Sequence, residues 1–200
     1  MRSKRSPAEH RPGSSSRLTP PRTRGTWRRS LSSPRETDQL GRLIGSVLMG
    51  GEFLALFGTL GAGKTALVRG IAAGLGAAAE AVSSPTFVLL HEYRGRLPLA
   101  HVDLYRIDSL RDTESIGLDD YLSGSTVVAV EWADKALALL PPDRLEMELR
   151  HHTVQSRTIQ FRATGPLSAA LLTRIKHSQG LSTRSTRSRR TESAKGKSSS

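Results

Sequence analysis

Apolar residues in the middle of the chain are spaced in a way that predicts alternating helices and strands. A first helix is predicted from about residue 36 to a glycine pair at 50–51, because apolar residues recur at helical spacing at Leu40, Leu43, Ile44, Val47 and Leu48. The continuous apolar run FLALF (53–57) predicts a strand that is buried on both faces. A second helix is predicted over 65–76, so a strand, a glycine-rich loop and a helix follow one another directly.

The rest of the chain predicts further strands, two of which end on an acidic residue. Apolar runs or alternating residues predict strands within five segments: 83–93, 97–103, 126–132, 143–151 and 156–164. Short helices and turns are predicted over 110–122, and helices over the ADKALALL segment and over 166–176. This order indicates an α/β fold, with a mostly parallel sheet, helices on both faces and late strands that pair antiparallel at an edge.

The positive charge of the chain is concentrated at its two ends. Residues 1–35 carry ten basic residues and one acid, and residues 174–200 carry eight and one, whereas residues 36–173 carry twelve and sixteen. Both ends are also rich in small polar residues and poor in aromatic ones. We therefore expect one folded domain over 36–173 between two disordered basic extensions. Such extensions either bind RNA, for example tRNA, through counterion release or are solvated tails without a role.

Composition excludes several classes of site. The chain has no cysteine, which excludes disulfides and Cys-ligated metal centres and favours a cytoplasmic protein. No run of about 18 apolar residues predicts a membrane span. The first 35 residues resemble a transit peptide in being rich in Arg and Ser, but their five prolines favour a plain extension. His91 and His101 lack metal-ligand spacing and are interpreted as structural or surface residues.

Residues 58–65, GTLGAGKT, match the phosphate-loop pattern G-x-x-x-x-G-K-[ST]. Its glycines let backbone N–H groups curl around a phosphate chain, and the helix that follows adds its positive end. Lys64 would neutralise the β- and γ-phosphates, and the Thr65 hydroxyl would hold Mg²⁺, which prefers oxygen ligands. The strand before the loop and the helix after it favour this interpretation over a chance glycine turn. The predicted ATP-binding residues in the loop are Gly58, Gly61, Ala62, Gly63, Lys64 and Thr65.

Four residues beyond the loop are candidates for the same site. Asp103 and Glu131 each end an apolar strand, where a phosphate-loop enzyme needs an acid near Mg²⁺ or the attacking water, although either could simply cap a surface strand. Thr86, in SSPT, would present a hydroxyl near the γ-phosphate as switch loops do, or would belong to an ordinary turn. Trp132 would form a wall of the nucleotide site or lie in the core.

Taken together and in this order, the motifs resemble the bacterial TsaE-type ATPases of tRNA threonylcarbamoyladenosine biosynthesis. The resemblance runs from about Glu36 to Arg162, over the blocks ETDQLG, GTLGAGKT, SSPTF, HVDLYR, GLDDYL, VEW and LLPPDRLEMEL. The trio SPTF, HVDLYR and EW is far more specific than the phosphate loop. The resemblance implies a small phosphate-loop NTPase that binds ATP and Mg²⁺, hydrolyses ATP weakly alone, and acts with TsaB-type and TsaD-type partners.

In that family, ATP hydrolysis resets or licenses the complex that places the threonylcarbamoyl group on the adenosine next to the anticodon. The tRNAs concerned are those that read codons beginning with A, and the transfer itself belongs to a partner. The resemblance implies that Lys64 and the loop backbone bind phosphates and that Thr65 and Glu131 ligate Mg²⁺. It implies that Asp103 lies near the attacking water as a further candidate ligand, and that Thr86 has a switch-like position. It also implies nucleotide contacts for Thr37, Trp132 and Arg157.

The sequence departs from the family pattern in places, and two other functions are open. Thr59 stands where the family usually has Asp, Ala133 stands where it usually has Pro, and both tails lie outside the resemblance. A small-molecule kinase would need an acceptor pocket and often an arginine-bearing lid, and the sequence predicts no arginine-rich lid. A non-enzymatic RNA-binding protein that acts through its tails would leave the phosphate loop, Asp103 and Glu131 unexplained.

Overall fold

The computed structural model describes residues 23–78, 90–107, 117–122 and 124–195. Within them, seven strands are found: β1 (Gly25–Leu31), β2 (Phe53–Phe57), β3 (Leu90–Tyr93), β4 (Leu99–Asp103), β5 (Val127–Glu131), β6 (Leu145–His151) and β7 (Arg157–Ala163). The described α-helices are α1 (Pro34–Val47), α2 (Lys64–Gly74) and α3 (Pro166–Lys195), and two short 3₁₀ helices span Leu118–Tyr121 and Ala133–Ala136. No helix in the described ranges is long and apolar enough to cross a membrane.

The strands form one mixed sheet in the order β1-β7-β6-β2-β5-β4-β3. Its four central strands, β6, β2, β5 and β4, are parallel, and the pairs at both edges are antiparallel. This confirms the predicted α/β fold with antiparallel edge strands. Because β2, β5 and β4 run in the same direction, their carboxyl ends lie together. The loop after β2 is therefore close to the acids that end β4 and β5. Asp103 and Glu131 are register partners.

The three α-helices pack on one face of the sheet. Their buried apolar residues form a single core with Leu54 and Leu56 of β2, whereas Phe53 and Ala55 point to a second core on the opposite face. In the described residues, that second core is covered by the two 3₁₀ helices and not by an α-helix. A longer helix was predicted over the ADKALALL segment, but only Ala133–Ala136 is helical, as one 3₁₀ turn that follows the left-handed backbone of Trp132.

Helices α1 and α2 meet through their backbones at two glycine pairs. A Cβ atom added to Gly45 would lie 2.2 Å from the carbonyl oxygen of Ile71, and one added to Gly74 would lie 2.2 Å from that of Arg42. Gly41 and Gly70, one turn earlier in their helices, approach each other in the same way. The two helices that begin beside the glycine loop are therefore held at a separation that no side chain can enter.

The folded domain extends beyond the predicted boundaries at both ends. Residues 25–31 were expected to be disordered, but they form β1, which pairs along its whole length with β7 and buries Leu31. The predicted disordered tail from residue 174 is also wrong in its first part. Arg174 bonds to Val47 O at 2.9 Å and to the buried Glu52 at 2.6 Å, and Ile175 lies in the core. These stabilising contacts are long-range, so local composition does not reveal them.

Candidate functional site

The glycine loop between β2 and α2 forms one wall of a cavity of about 400 Å³. Gly63 adopts a φ of 101° and caps α2, so the loop turns its backbone toward the helix start in a conformation that favours glycine. The Lys64 ammonium donates hydrogen bonds to Gly58 O at 2.7 Å and Thr59 O at 3.1 Å. Burial lowers the pKa of Lys64 below its ordinary 10.5, although the carboxylates of Glu131, Asp103 and Asp134 oppose the shift. A partly desolvated cation at a helix N-terminus makes this cavity suited to an anion.

Thr65, Glu131 and His101 form a chain of hydrogen bonds at the back of the cavity. The Thr65 hydroxyl donates to Glu131 Oε2 at 3.0 Å, and Glu131 Oε1 lies 2.8 Å from His101 Nε2. Glu131 is 2% exposed and His101 is completely buried. A buried carboxylate beside a hydroxyl provides two oxygen ligands of the kind that Mg²⁺ prefers.

Asp103 lies next to Glu131, at the end of the neighbouring parallel strand, and lines the same cavity. Its Oδ1 atom accepts a hydrogen bond from the Tyr105 amide at 2.9 Å, which fixes the carboxylate against the turn that follows β4. The Leu104 amide in the same turn donates to Glu131 O at 3.1 Å. The two acids are therefore held side by side by backbone contacts.

Trp132 lines the cavity and contacts the loop through Lys64. Its φ of 57° makes it the only residue other than glycine with a positive φ in the described ranges. Its ring lies 5.0 Å from that of Tyr105, and Lys64 Nζ lies 3.6 Å from the centre of the Trp132 ring. This strained turn directs the indole into the cavity, in addition to its contact with the second core.

Thr37 and Arg157 meet beside Gly63. Arg157 Nη1 donates to the Thr37 hydroxyl at 2.9 Å, and the same nitrogen would lie 3.5 Å from a Cβ at Gly63. Arg157 Nη2 donates to Val154 O at 3.1 Å, and Nε is buried without a hydrogen-bond partner among the described residues. A second cavity, of about 320 Å³, lies beside Arg157 and is lined also by Glu36.

Thr59 lies outside the lining of the first cavity. Its side chain instead approaches His151 at the end of β6, with Thr59 Oγ1 and His151 Nδ1 3.5 Å apart, and it lines a separate cavity with Glu148 and Arg150. Thr59, which stands where the family usually has Asp, therefore lies on the outer side of the loop.

The structure brings most of the predicted site residues together. Those around the first cavity are Gly61, Gly63, Lys64, Thr65, Asp103, Glu131 and Trp132. Gly58 and the buried Ala62 complete the loop, and Thr37 and Arg157 lie beside Gly63. Thr86 lies outside the described residues. The described ranges hold no cluster of three or more His, Cys, Asp or Glu side chains able to bind a metal.

The contact between His101 and Glu131 was not predicted from the sequence. Lys135 was not predicted either; it donates to the carbonyls of Tyr105 and Ile107 and so fixes the turn beside the cavity. The alternation of His101 and Asp103 along β4 was the one available signal, because residues two apart in a strand share a face.

Comparisons with known proteins identify one family. A sequence model described as "Threonylcarbamoyl adenosine biosynthesis protein TsaE" matches residues 31–159. A Bacillus subtilis protein named "tRNA threonylcarbamoyladenosine biosynthesis protein TsaE" is 40% identical over 140 residues, which cover 70% of this chain and 85% of the relative. A Treponema pallidum protein of the same name is 41% identical over 118 residues, which cover 59% and 87%. The crystal structure of Bacillus subtilis YdiB has a TM-score of 0.65 at 32% identity, covering 76% of this chain and 95% of that one.

Proposed function

Because this chain belongs to the TsaE family of threonylcarbamoyl adenosine biosynthesis proteins, we propose that it hydrolyses ATP, with Mg²⁺, in support of tRNA modification. The observation that carries the proposal is the hydrogen bond from Thr65 to Glu131, 3.0 Å long, at the end of a glycine loop that also presents a buried lysine. An anion-binding loop beside two oxygen ligands suits a magnesium–nucleotide complex.

In the proposed complex, the phosphate chain of ATP lies along the loop. Backbone N–H groups of residues 61–65 and the positive end of α2 bind its oxygens, and Lys64 leaves the carbonyls of Gly58 and Thr59 to contact the β- and γ-phosphates. Trp132 borders the phosphates. Thr37 and Arg157 would contact the ribose or base, since Arg157 lies beside Gly63, holds Thr37 and lines the second cavity.

The donor set of the site fits Mg²⁺. The Thr65 hydroxyl and the Glu131 carboxylate would hold it, with Asp103 as a further candidate ligand, and the remaining ligands would be phosphate oxygens and water, as is usual for this ion. When bound, Mg²⁺ neutralises charge that develops on the phosphate oxygens.

Asp103 is the residue we propose to orient the attacking water. Its carboxylate lies beside Glu131 and is held by the Tyr105 amide, so it can accept a hydrogen bond from a water molecule in the cavity. The water oxygen bonds to the γ-phosphorus as the bond to the bridging oxygen of the β-phosphate breaks, which yields ADP, phosphate and a proton. Thr86 is proposed as a switch residue that contacts the γ-phosphate.

We further propose that hydrolysis is weak in the isolated chain and is stimulated by TsaB-type and TsaD-type proteins in the cytoplasm. Within that complex, hydrolysis would reset the machinery that modifies the adenosine next to the anticodon of tRNAs reading codons that begin with A. The basic segments at the chain ends are proposed as direct contacts to tRNA, which they would bind through phosphate charge.

Phosphate release by the purified protein tests this function, measured alone and then with both partner proteins and tRNA. We expect slow release alone, faster release in the mixture, and loss of both in Lys64→Ala. Glu131→Gln should require more Mg²⁺ for the same rate. A rate that the partners and tRNA leave unchanged contradicts the proposal, and phosphate transfer to a metabolite without partners would instead support a small-molecule kinase.

A further inference from the structure

His101 is buried against the Glu131 carboxylate on the side away from the cavity. Its Nε2 atom lies 2.8 Å from Glu131 Oε1, while Glu131 Oε2 accepts the hydrogen bond from Thr65 at 3.0 Å. The two carboxylate oxygens therefore have different partners. One is engaged by the imidazole below the site, and the other is directed toward the start of α2.

The register of β4 and β5 makes this contact possible. His101 lies directly opposite Ala129, whose methyl group leaves room for the imidazole to reach along β5 to Glu131, two residues further on. His101 and Asp103 share the face of β4 that is directed toward the helices, so the histidine lies beneath both acids. It cannot move without disturbing the core, because its exposed fraction is 0%.

The second ring nitrogen of His101 indicates which tautomer forms the contact. Nδ1 is buried and has no hydrogen-bond partner among the described residues. If the proton were on Nδ1, a buried N–H would be unpaired, and the bare Nε2 would face a carboxylate oxygen with no proton between them. The proton therefore lies on Nε2, and His101 donates a hydrogen bond to Glu131 Oε1.

We propose that His101 is a positioning residue for the metal site: it fixes the Glu131 carboxylate so that Oε2 is presented next to the Thr65 hydroxyl. This inference rests on the proposed function, in which Glu131 and Thr65 hold Mg²⁺. Hydrogen bonds from outside a metal site commonly orient its ligands in this way, and their loss weakens metal binding about 10- to 100-fold. His101 itself contacts neither nucleotide nor metal.

Binding of Mn²⁺ as a probe for Mg²⁺ tests the proposal. The concentration of free Mn²⁺ is measured by electron paramagnetic resonance in the presence of saturating ADP, for the wild type and for three variants. His101→Gln keeps an N–H donor near the position of Nε2, whereas the shorter His101→Asn does not reach Glu131. His91→Gln is the matched control, since His91 lies directly opposite His101 in the β3–β4 pair but does not contact Glu131.

We expect His101→Asn to weaken Mn²⁺ binding by about 10-fold or more. His101→Gln should recover most of that loss, and His91→Gln should match the wild type. Metal-free ADP binding should be equal in all four proteins. Wild-type Mn²⁺ affinity in a folded His101→Asn variant overturns the proposal, and so does equal loss in the Asn and Gln variants, which indicates a purely structural histidine.

The wild-type protein provides a second measurement that needs no variant. Nitrogen-15 NMR of the His101 ring should show the Nε2–H tautomer and should change when Mg²⁺ is added with ADP, but not with ADP alone. The opposite tautomer, or no change with Mg²⁺, overturns the positioning role even if both His101 variants fail to fold.

If the wild type binds ADP but no Mn²⁺, the metal in the proposed function is wrong, and this inference is wrong with it. If it binds Mn²⁺ and the His101 tests fail, only this inference fails.

Discussion

The Lys64 ammonium lies 3.6 Å from the centre of the Trp132 ring, so the glycine loop and the residue that follows β5 are in direct contact. Attraction between a cation and an aromatic face stabilises such a pair, more so when the cation is partly desolvated. Lys64 also donates to two carbonyls of its own loop. A phosphate that binds in the loop must compete for Lys64 with all three partners.

Trp132 should therefore report nucleotide binding. The chain has two tryptophans, and Trp27 stacks on Phe161 at 5.1 Å in the separate helix-side core, so a Trp27→Phe variant isolates the emission of Trp132. Adding ADP should change that emission, because Lys64 leaves the indole for the phosphates. The change should be lost when Lys64→Ala is added to the same variant. Equal changes with and without Lys64 would show that the indole senses something else.

Thr59→Asp should leave ATP turnover of the isolated protein close to that of the wild type. The Thr59 hydroxyl lies 3.5 Å from His151 Nδ1 and outside the main cavity lining, so a carboxylate there would face the imidazole rather than the cavity. Phosphate release measures the effect. Thr59→Asn is the uncharged control, and a large acceleration specific to Asp would instead indicate a direct role in hydrolysis.

Gly45→Ala should destabilise the protein despite the better helix propensity of alanine. Its methyl group would lie 2.2 Å from the Ile71 carbonyl, and a backbone neighbour can give way only if α1 and α2 separate. We expect a loss of about 3 kcal/mol in the free energy of unfolding, the upper end of the usual cost of overpacking. Urea unfolding measures it. Gly180→Ala in α3 is the matched control: its methyl group meets nothing within 4 Å, so it should stabilise by about 0.5–1 kcal/mol.

Asp143 should contribute stability that depends on pH. It accepts hydrogen bonds from the amides of Leu167 and Ser168 in the first turn of α3, at 2.7 and 3.0 Å. Burial alone would raise the pKa of Asp143, but hydrogen bonds from Ser168 and Leu167 outweigh it, and the pKa lies below 3.8. The stability is therefore present above that value and is lost as the pH falls through the lowered pKa. Asp143→Asn should cost about 1 kcal/mol at neutral pH, by urea unfolding, and the difference should shrink in acid.

Removal of the N-terminal residues should be tolerated only up to β1. Deletion of residues 1–22 leaves the sheet intact, so the melting temperature should be unchanged. Deletion of residues 1–35 removes β1 and the Ser33 cap of α1 and exposes the edge of β7, and we expect aggregation in size-exclusion chromatography. Affinity of the shorter deletion for tRNA at low salt tests the basic segment, since unchanged affinity would show that residues 1–22 do not contact RNA.

The central sheet could be predicted because its strands are buried on both faces. FLALF and VVAVE are continuous apolar runs, and in the structure alternate residues of each enter different cores. β1 could not be predicted in the same way. Its sequence, GTWRRSL, places two arginines in an edge strand whose polar side chains reach solvent, and its pairing partner lies more than a hundred residues away.

The candidate site was predictable where the chemistry is local. The loop pattern and the acids at strand ends place Lys64, Thr65, Asp103 and Glu131 from the sequence alone. The contact of Arg157 with Thr37 joins residues 120 positions apart, and that of His101 with Glu131 depends on the register of two strands that are not consecutive. Neither strand register nor helix position can be derived from residue types, so these two contacts could be identified only from the structure.

The glycine contact between α1 and α2 also fixes the distance between two candidate site residues. Thr37 is in α1 and Thr65 is in α2, and the spacing between their helices is fixed by main-chain atoms that cannot change rotamer. In the proposed function, the two helices would therefore act as one rigid support, and adjustment to different nucleotides would fall to side chains rather than to helix movement.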